Sequence, residues 1–196
     1  MKDLETKNLK IRKFRIEDAE DVYNNLATEK KLEKCLGYNM HQDIEQTKQM
    51  ISSYINEYEA NELVWVIEEK QTNTAIGFIN ALEVSRLNQY CNMKFGIAFK
   101  YIEKHYMEEA LNCVLEYIFN EKGLNMVVSK FYDGNEEITN FKTTILDTIG
   151  MKKEAVLRNR KINEKTGILE NQVIYSITKD EFFEFNKKTK ILFIKL

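Results

Sequence analysis

The chain has 196 residues, enough for one domain with a substantial core. Its 43% hydrophobic and 31% charged content is ordinary for a soluble globular protein, and 29 Lys and Arg against 31 Asp and Glu leave a net charge of −2. That balance points to no nucleic acid and no anionic membrane as partner, and no apolar run approaches the roughly 20 residues of a membrane span.

The polar start MKDLETKNLK has no signal-peptide core, so a cytoplasmic location is expected. Leu9, Ile11 and Phe14 predict a first strand, and helix formers run from Asp18 to about Leu36, where Leu36-Gly37-Tyr38 breaks the pattern. A longer helix is predicted from Asp43 to Tyr58, with Ile44, Met50, Ile51, Tyr54 and Ile55 largely on one face. Leu63 to Glu68 reads as a strand around Trp65, Gln71 to Thr74 as a turn, and Ala75 to Val84 as the paired strand.

The stretch from Cys91 to Leu111 organises the rest. Asn92, Lys94 and Gly96 alternate with Met93, Phe95 and Ile97, which predicts a strand. Met107, Ala110, Leu111, Val114, Leu115 and Ile118 then recur at helical spacing, with the loop Tyr101–Tyr106 between. A short loop from strand to helix aims partnerless N–H groups and the positive end of the macrodipole at one point, which attracts anions.

Gly123 is a natural stop for that helix. Leu124 to Tyr132 predicts a strand, Asp133-Gly134-Asn135 a turn, and a helix follows to about Thr148, closed by Gly150. Met151 to Lys161 and Ile168 to Thr178 read as a final hairpin. In the tail, Ile191 to Ile194 between lysines suggests an added strand or an apolar patch for a partner, and hence a homodimer. Cys35, Cys91 and Cys113 are widely spaced and read as reduced packing residues. With no Cys-x-x-Cys pair and only His41 and His105, a metal site is not expected.

Taken together, about residues 4–182 resemble the GCN5-related N-acetyltransferases (GNAT), in the RimJ/RimL-type branch that acts on ribosomal-protein N-termini. Thr6, Leu9, Arg12, Phe14 and Asp18 match its opening, and Trp65, Ile67, Ile76 and Gly77 its first hairpin. Tyr101, Lys104, Tyr106, Glu109, Ala110 and Leu111 match around the loop, and Phe119, Gly123, Leu124, Asn125 and Val127 beyond it. Glu154, Leu157, Arg158, Ile174 to Ser176 and Asp180 to Phe182 match the closing elements.

The resemblance implies a mixed α/β fold: a central, mostly antiparallel sheet of about seven strands with helices on both faces. It implies a single domain over residues 1–182, with 183–196 as its extension, and a cleft between the strands Met93–Phe99 and Met126–Phe131. It implies acetyl-CoA as cofactor, no metal, and a small-molecule or peptide amine as substrate. Phe99, Tyr101, Lys104, His105, Tyr106 and Asn135 are then the expected cofactor-binding residues. Tyr38 is either a wall of the acceptor groove or the cap of a local core.

The chain departs from the family where chemistry is expected. The family's phosphate-loop pattern, Arg/Gln-x-x-Gly-x-Gly/Ala, falls on Ile102, His105 and Met107, and none matches. His105 and Met107 are expected to put side chains where phosphates would sit, and Glu103 and Glu108 to bring negative charge there. Weak binding of acetyl-CoA, or none, is the expected result. Asn92 stands where many members carry a basic Glu, and an amide cannot take a proton. Leu146 stands where many carry an acidic Tyr, and the helix after Asn135 is about one turn longer than usual. Asn92 and Tyr132 are the remaining catalytic candidates. Two readings stay open: an N-acetyltransferase with an atypical loop, or a catalytically inactive protein of this fold that binds a ligand or partner.

Overall fold

The computed structural model describes residues 1–30, 40–57, 63–164 and 166–194. The chain is mixed α/β, with eight strands in an open, mostly antiparallel sheet and helices on both faces. The strand beyond the expected seven is the two-residue β1, Leu4–Glu5, which pairs with β2, Leu9–Arg12. The chain divides into two compact units, Met1–Glu83 with Met93–Val114, and Val84–Asn92 with Leu115–Leu196.

In the first unit, β2 pairs with β3 (Leu63–Glu69), and β3 with β4 (Thr74–Ser85), each antiparallel. Every residue of β3 is buried, so the weak alternation read from the sequence reflects a strand covered on both faces. The fifth strand, β5, spans Tyr90–Ile97. Gly77 of β4 is required by proximity: a Cβ there would lie 2.7 Å from the Gly96 carbonyl oxygen. The predicted first helix is broken into a 3-10 turn, Ile16–Asp18, a short helix α1, Ala19–Val22, and a π-helical turn, Tyr23–Ala27. The second helix, α2, spans Ile44–Glu57.

Three charged residues hold this unit's opening together: Arg12, Asp18 and Glu68 are all buried. Arg12 grips Asp18 through both terminal nitrogens, at 2.8 and 2.7 Å, and donates to Glu68 from Nε at 2.8 Å. Burial alone would lower the Arg12 pKa, but the two carboxylates reverse the sign and hold it raised. Lys10 completes the set at 3.0 Å from Glu68. Breaking such a buried network on one side costs roughly 3–5 kcal/mol.

Helix α3, Tyr106–Asn120, begins in the first unit and ends in the second. In the second unit β6 (Met126–Tyr132) pairs with β8 (Leu169–Thr178), and β8 with β7 (Lys152–Ile162), all antiparallel. Helix α4 spans Glu136–Thr148 and helix α5 spans Lys179–Ile194. The latter is capped by Thr178, whose N–H and hydroxyl donate to Glu181 at 2.9 and 2.8 Å. The tail suggested as an added strand is therefore the last turn of a helix through Ile194. Gly150 follows α4 at φ 82°, and a Cβ there would come within 2.6 Å of the Phe185 ring, so glycine is required twice.

Strand β7 is the unit's edge. Nine of its eleven residues are exposed and the other two half-buried, and its register breaks between Lys153 and Ala155 and again between Leu157 and Lys161. Within the second break Asn159 takes a left-handed conformation, φ 52°. Arg158, Arg160 and Lys161 crowd the same stretch.

Candidate active site

The loop that follows β5 forms a 3-10 segment, Phe99–Lys104, and then turns sharply at His105 into α3. His105 has φ 55° and ψ 25°, the left-handed conformation. This is the position at which the phosphate-loop pattern carries its first glycine. The glycine is gone, yet the backbone shape that glycine tolerates is kept. The N–H of Glu109 is the first to close a helical bond, to the His105 carbonyl at 3.1 Å. The N–H groups of Tyr106, Met107 and Glu108 are those that a helix start leaves without an intrahelical partner.

Side chains around this turn are arranged differently from the expectation. Met107 is buried, at 2% exposure, and so does not project into the mouth of the loop. Its place in the apolar helical spacing, not its place in the loop pattern, decides its direction. His105 does face solvent, at 79% exposure, and its Nδ1 lies 3.0 Å from Glu108 Oε1. Glu109 is turned inward: its carboxylate accepts from the Asn8 backbone N–H at 2.9 Å and from Asn8 Nδ2 at 2.8 Å. Burial pushes the Glu109 pKa up, but the donors of Thr6 and Asn8 outweigh it and hold it below the usual value. Glu108 and Glu109 thus serve their own neighbours. Glu103 is exposed.

Beneath the loop lies a residue that the sequence reading passed over. Glu69, the last residue of β3, is 2% exposed, and its Oε1 accepts from Lys104 Nζ at 2.8 Å and from the Tyr106 hydroxyl at 3.1 Å. Its other oxygen accepts from Thr72 Oγ1 at 2.9 Å. Burial raises the Glu69 pKa, but these three donors together bring it below the ordinary carboxylate value. Lys104 in turn sits over the rings of Tyr101 and Tyr106, 5.0 and 5.2 Å from their centroids, and those rings stack at 6.3 Å. Lys100 stands over Tyr101 at 5.2 Å and donates to Asn25 at 2.9 Å. Burial and the neighbouring Glu69 charge raise the Tyr106 pKa, so its phenol stays protonated and committed to Glu69.

Four of the expected cofactor residues are therefore brought together here: Tyr101, Lys104, His105 and Tyr106. Phe99, half-buried, opens the same segment. Asn135 lies in the second unit and caps α4, its Oδ1 accepting from the Ile138 N–H at 3.0 Å and its carbonyl from the Thr139 hydroxyl at 2.8 Å. Tyr132, at the end of β6, accepts from Gln172 Nε2 at 3.3 Å and lies under the Lys161 ammonium, 5.2 Å from its ring. Asn92 is half-buried on β5. Tyr38 and Cys35 lie outside the described residues. Cys91 is fully buried and its thiol is pushed up to about 12 by that burial, which suits packing rather than nucleophilic work. Among the described residues no group of acidic, His or Cys side chains is arranged to hold a metal, and no helix is long and apolar enough to cross a membrane.

Comparison with known proteins agrees on the family. A family model described as an acetyltransferase (GNAT) domain matches residues 8–145, which include the loop and most of α4. The "uncharacterized N-acetyltransferase p20" of Bacillus licheniformis is 24% identical over 185 residues, 93% of this chain and 99% of that protein. Among solved structures, the ribosomal-protein-S5-alanine acetyltransferase of Vibrio fischeri superposes with a TM-score of 0.77 at 16% identity, covering 93% of this chain and 99% of that one. The microcin C7 self-immunity acetyltransferase MccE, solved with acetyl-CoA and AMP, gives 0.72 at 17% identity over 88% of this chain and 93% of its own. At these identities the two structures speak for the fold.

Proposed function

The chain belongs to the GNAT acetyltransferases, acyltransferases that use acetyl-CoA, and on that premise we propose that it transfers an acetyl group from acetyl-CoA to a primary amine. The observation that carries the proposal is the left-handed turn at His105 immediately before α3. At His105 that left-handed backbone, which costs a side-chain-bearing residue about 1–2 kcal/mol, stands directly ahead of the helix start where a diphosphate would sit. The cofactor fits what the loop offers. The N–H groups of Tyr106, Met107 and Glu108 would take phosphate oxygens, aided by the positive end of α3. Met107 is out of the way, and Glu109 is occupied with Asn8.

When bound, acetyl-CoA supplies an activated acyl thioester. The chain's own contribution is to hold it and to bring the amine to it in a reactive geometry. Tyr106 does not serve as an acid in this scheme, because its hydroxyl proton is directed at Glu69. Asn92 serves as a hydrogen-bonding group and not as a base. The amine is therefore taken to shed its proton to water. A protein N-terminus or a small-molecule amine is the acceptor class.

Acetyl-CoA binding is the direct test. Cofactor at about 100 times its dissociation constant stabilises the fold by roughly 2.7 kcal/mol, which a melting curve resolves. Acetylation of peptides with free Ala or Ser N-termini, and of a polyamine, is then read by mass spectrometry as the gain of one acetyl group. No stabilisation at millimolar acetyl-CoA overturns the proposal.

A further inference from the structure

Lys104 is the loop's cation nearest the turn, and it points at a buried carboxylate of its own chain. Its Nζ is 2.8 Å from Glu69, whose side chain is 2% exposed, whereas that of Lys104 is 45% exposed. The pair is therefore half in water, with its anion fixed and its cation free to swing outward. Glu69 cannot follow: Thr72 and Tyr106 hold its two oxygens, and Lys70 beside it is bonded to the Thr6 carbonyl at 2.7 Å.

We propose that Glu69 is a positioning residue for the cofactor, which holds Lys104 down between the Tyr101 and Tyr106 rings and so sets how much positive charge the loop presents to a diphosphate. This rests on the reading that acetyl-CoA binds at the loop. In the unliganded state the Glu69–Lys104 pair is close to neutral, and the loop offers backbone N–H groups alone. To engage a phosphate, Lys104 must leave Glu69, whose carboxylate keeps its bonds to Thr72 and Tyr106. The cofactor thus competes with an internal anion for one ammonium. The same carboxylate orders the turn through Tyr106, the first residue of α3, so it fixes the N–H groups while restraining the side-chain charge. No other acid lies within bonding distance of Lys104 among the described contacts, and Lys100, the other cation over Tyr101, is engaged by Asn25.

The experiment uses the full chain as wild type, Glu69→Gln and Glu69→Gln/Lys104→Met. Glutamine keeps the size of the side chain and one acceptor oxygen for Tyr106 or Thr72, and removes the charge. Acetyl-CoA is titrated by calorimetry at low and high salt, and the labelling rate of the Lys104 amine by acetic anhydride is followed by mass spectrometry without cofactor. Releasing one partly exposed ion pair should tighten binding about three- to fivefold at low salt. The gain should shrink at high salt and disappear in the double variant. Lys104 labelling should rise in Glu69→Gln. If Glu69→Gln does not fold, Glu69→Asp, which keeps the charge and withdraws it by one methylene, should show the same changes in smaller measure.

Equal affinity and salt dependence in wild type and Glu69→Gln, a weaker binding variant, or unchanged labelling overturns the proposal. Raised labelling with no acetyl-CoA binding by any of the proteins upholds the restraint on Lys104 but overturns the acetyl-transfer reading and the cofactor's part in this one.

Discussion

Lys104 and Glu69, 35 residues apart in sequence, meet at 2.8 Å directly before the turn at His105. A partly exposed ammonium against a buried, triply bonded carboxylate ties the loop to the end of β3. Lys70 ties that same strand end to the β1–β2 turn, and Asn8 ties the turn to Glu109 of α3. Three connections that the sequence separates widely are thus fastened into one support, and the first turn of α3 is set by it. The predictions that follow probe this support.

The conformation of His105 inverts the usual ranking of alanine and glycine. At a regular helical or extended position glycine is the less stable by roughly 0.5–1 kcal/mol. At φ 55° alanine carries the left-handed penalty and glycine does not. His105→Gly should therefore be more stable than His105→Ala by about 1 kcal/mol in urea denaturation, both having lost the contact to Glu108. An alanine variant as stable as the glycine one would show that the turn is not held left-handed in solution.

Met107 gives the opposite lesson. Rebuilding the family's small residue there is not a local repair of the loop, because the side chain is buried at 2% exposure. Met107→Ala should cost about 2–5 kcal/mol, the range for emptying a core site. Thermal unfolding followed by circular dichroism will read it. A loss under 1 kcal/mol would place Met107 at the surface and restore it as an obstacle to phosphates.

Acid should weaken the fold through carboxylates whose folded pKa is depressed. Glu181, bonded by Lys152 and by the N–H and hydroxyl of Thr178, is held down at about 2 against an ordinary 4.5. For such a group the stabilisation is complete above the unfolded value and is lost as pH falls through the folded one. Its window is therefore from 4.5 down to about 2. Glu69, Glu68 and Glu109 are shifted in the same direction. Stability measured in urea should fall below pH 4.5, and Glu181→Gln should make that fall shallower while lowering stability at pH 7. An unchanged slope in the variant would mean that Glu181 keeps an ordinary pKa when folded. Because Glu181 is partly exposed, its share is modest.

Much of the fold is legible in the residues. The apolar spacing from Met107 to Ile118 finds α3, and Gly123 and Gly150 mark helix ends, both at positive φ. Alternation finds β5, and strand-like runs set off by turn residues find β6 and the β7–β8 hairpin. Of the two readings of the tail, the strand fails because four apolar residues between lysines carry no period long enough to tell strand from helix. The capping signal was present upstream, in Thr178-x-x-Glu181.

The site is less legible, for a physical reason. Glu69 has nothing in its own neighbourhood to mark it: an acid at the end of a strand next to a turn is ordinarily solvated. Its role comes from Lys104 and Tyr106, which only the tertiary fold delivers. The loop itself was read through the residues it lacks. What it keeps is a backbone conformation, and backbone conformation at a histidine is not written in side-chain identity. Met107 was open to two readings, as a core position by spacing and as an obstruction by pattern, and burial decides for the first.

The edge strand β7 carries a consequence for behaviour at high concentration. It shows Val156, Leu157 and Ile162 to water beside a row of main-chain groups that a neighbouring copy would be able to pair with. Two register breaks interrupt that row, and Arg158, Arg160 and Lys161 set like charge against like when two such edges approach. Growth of one copy onto the next along this edge is thereby discouraged.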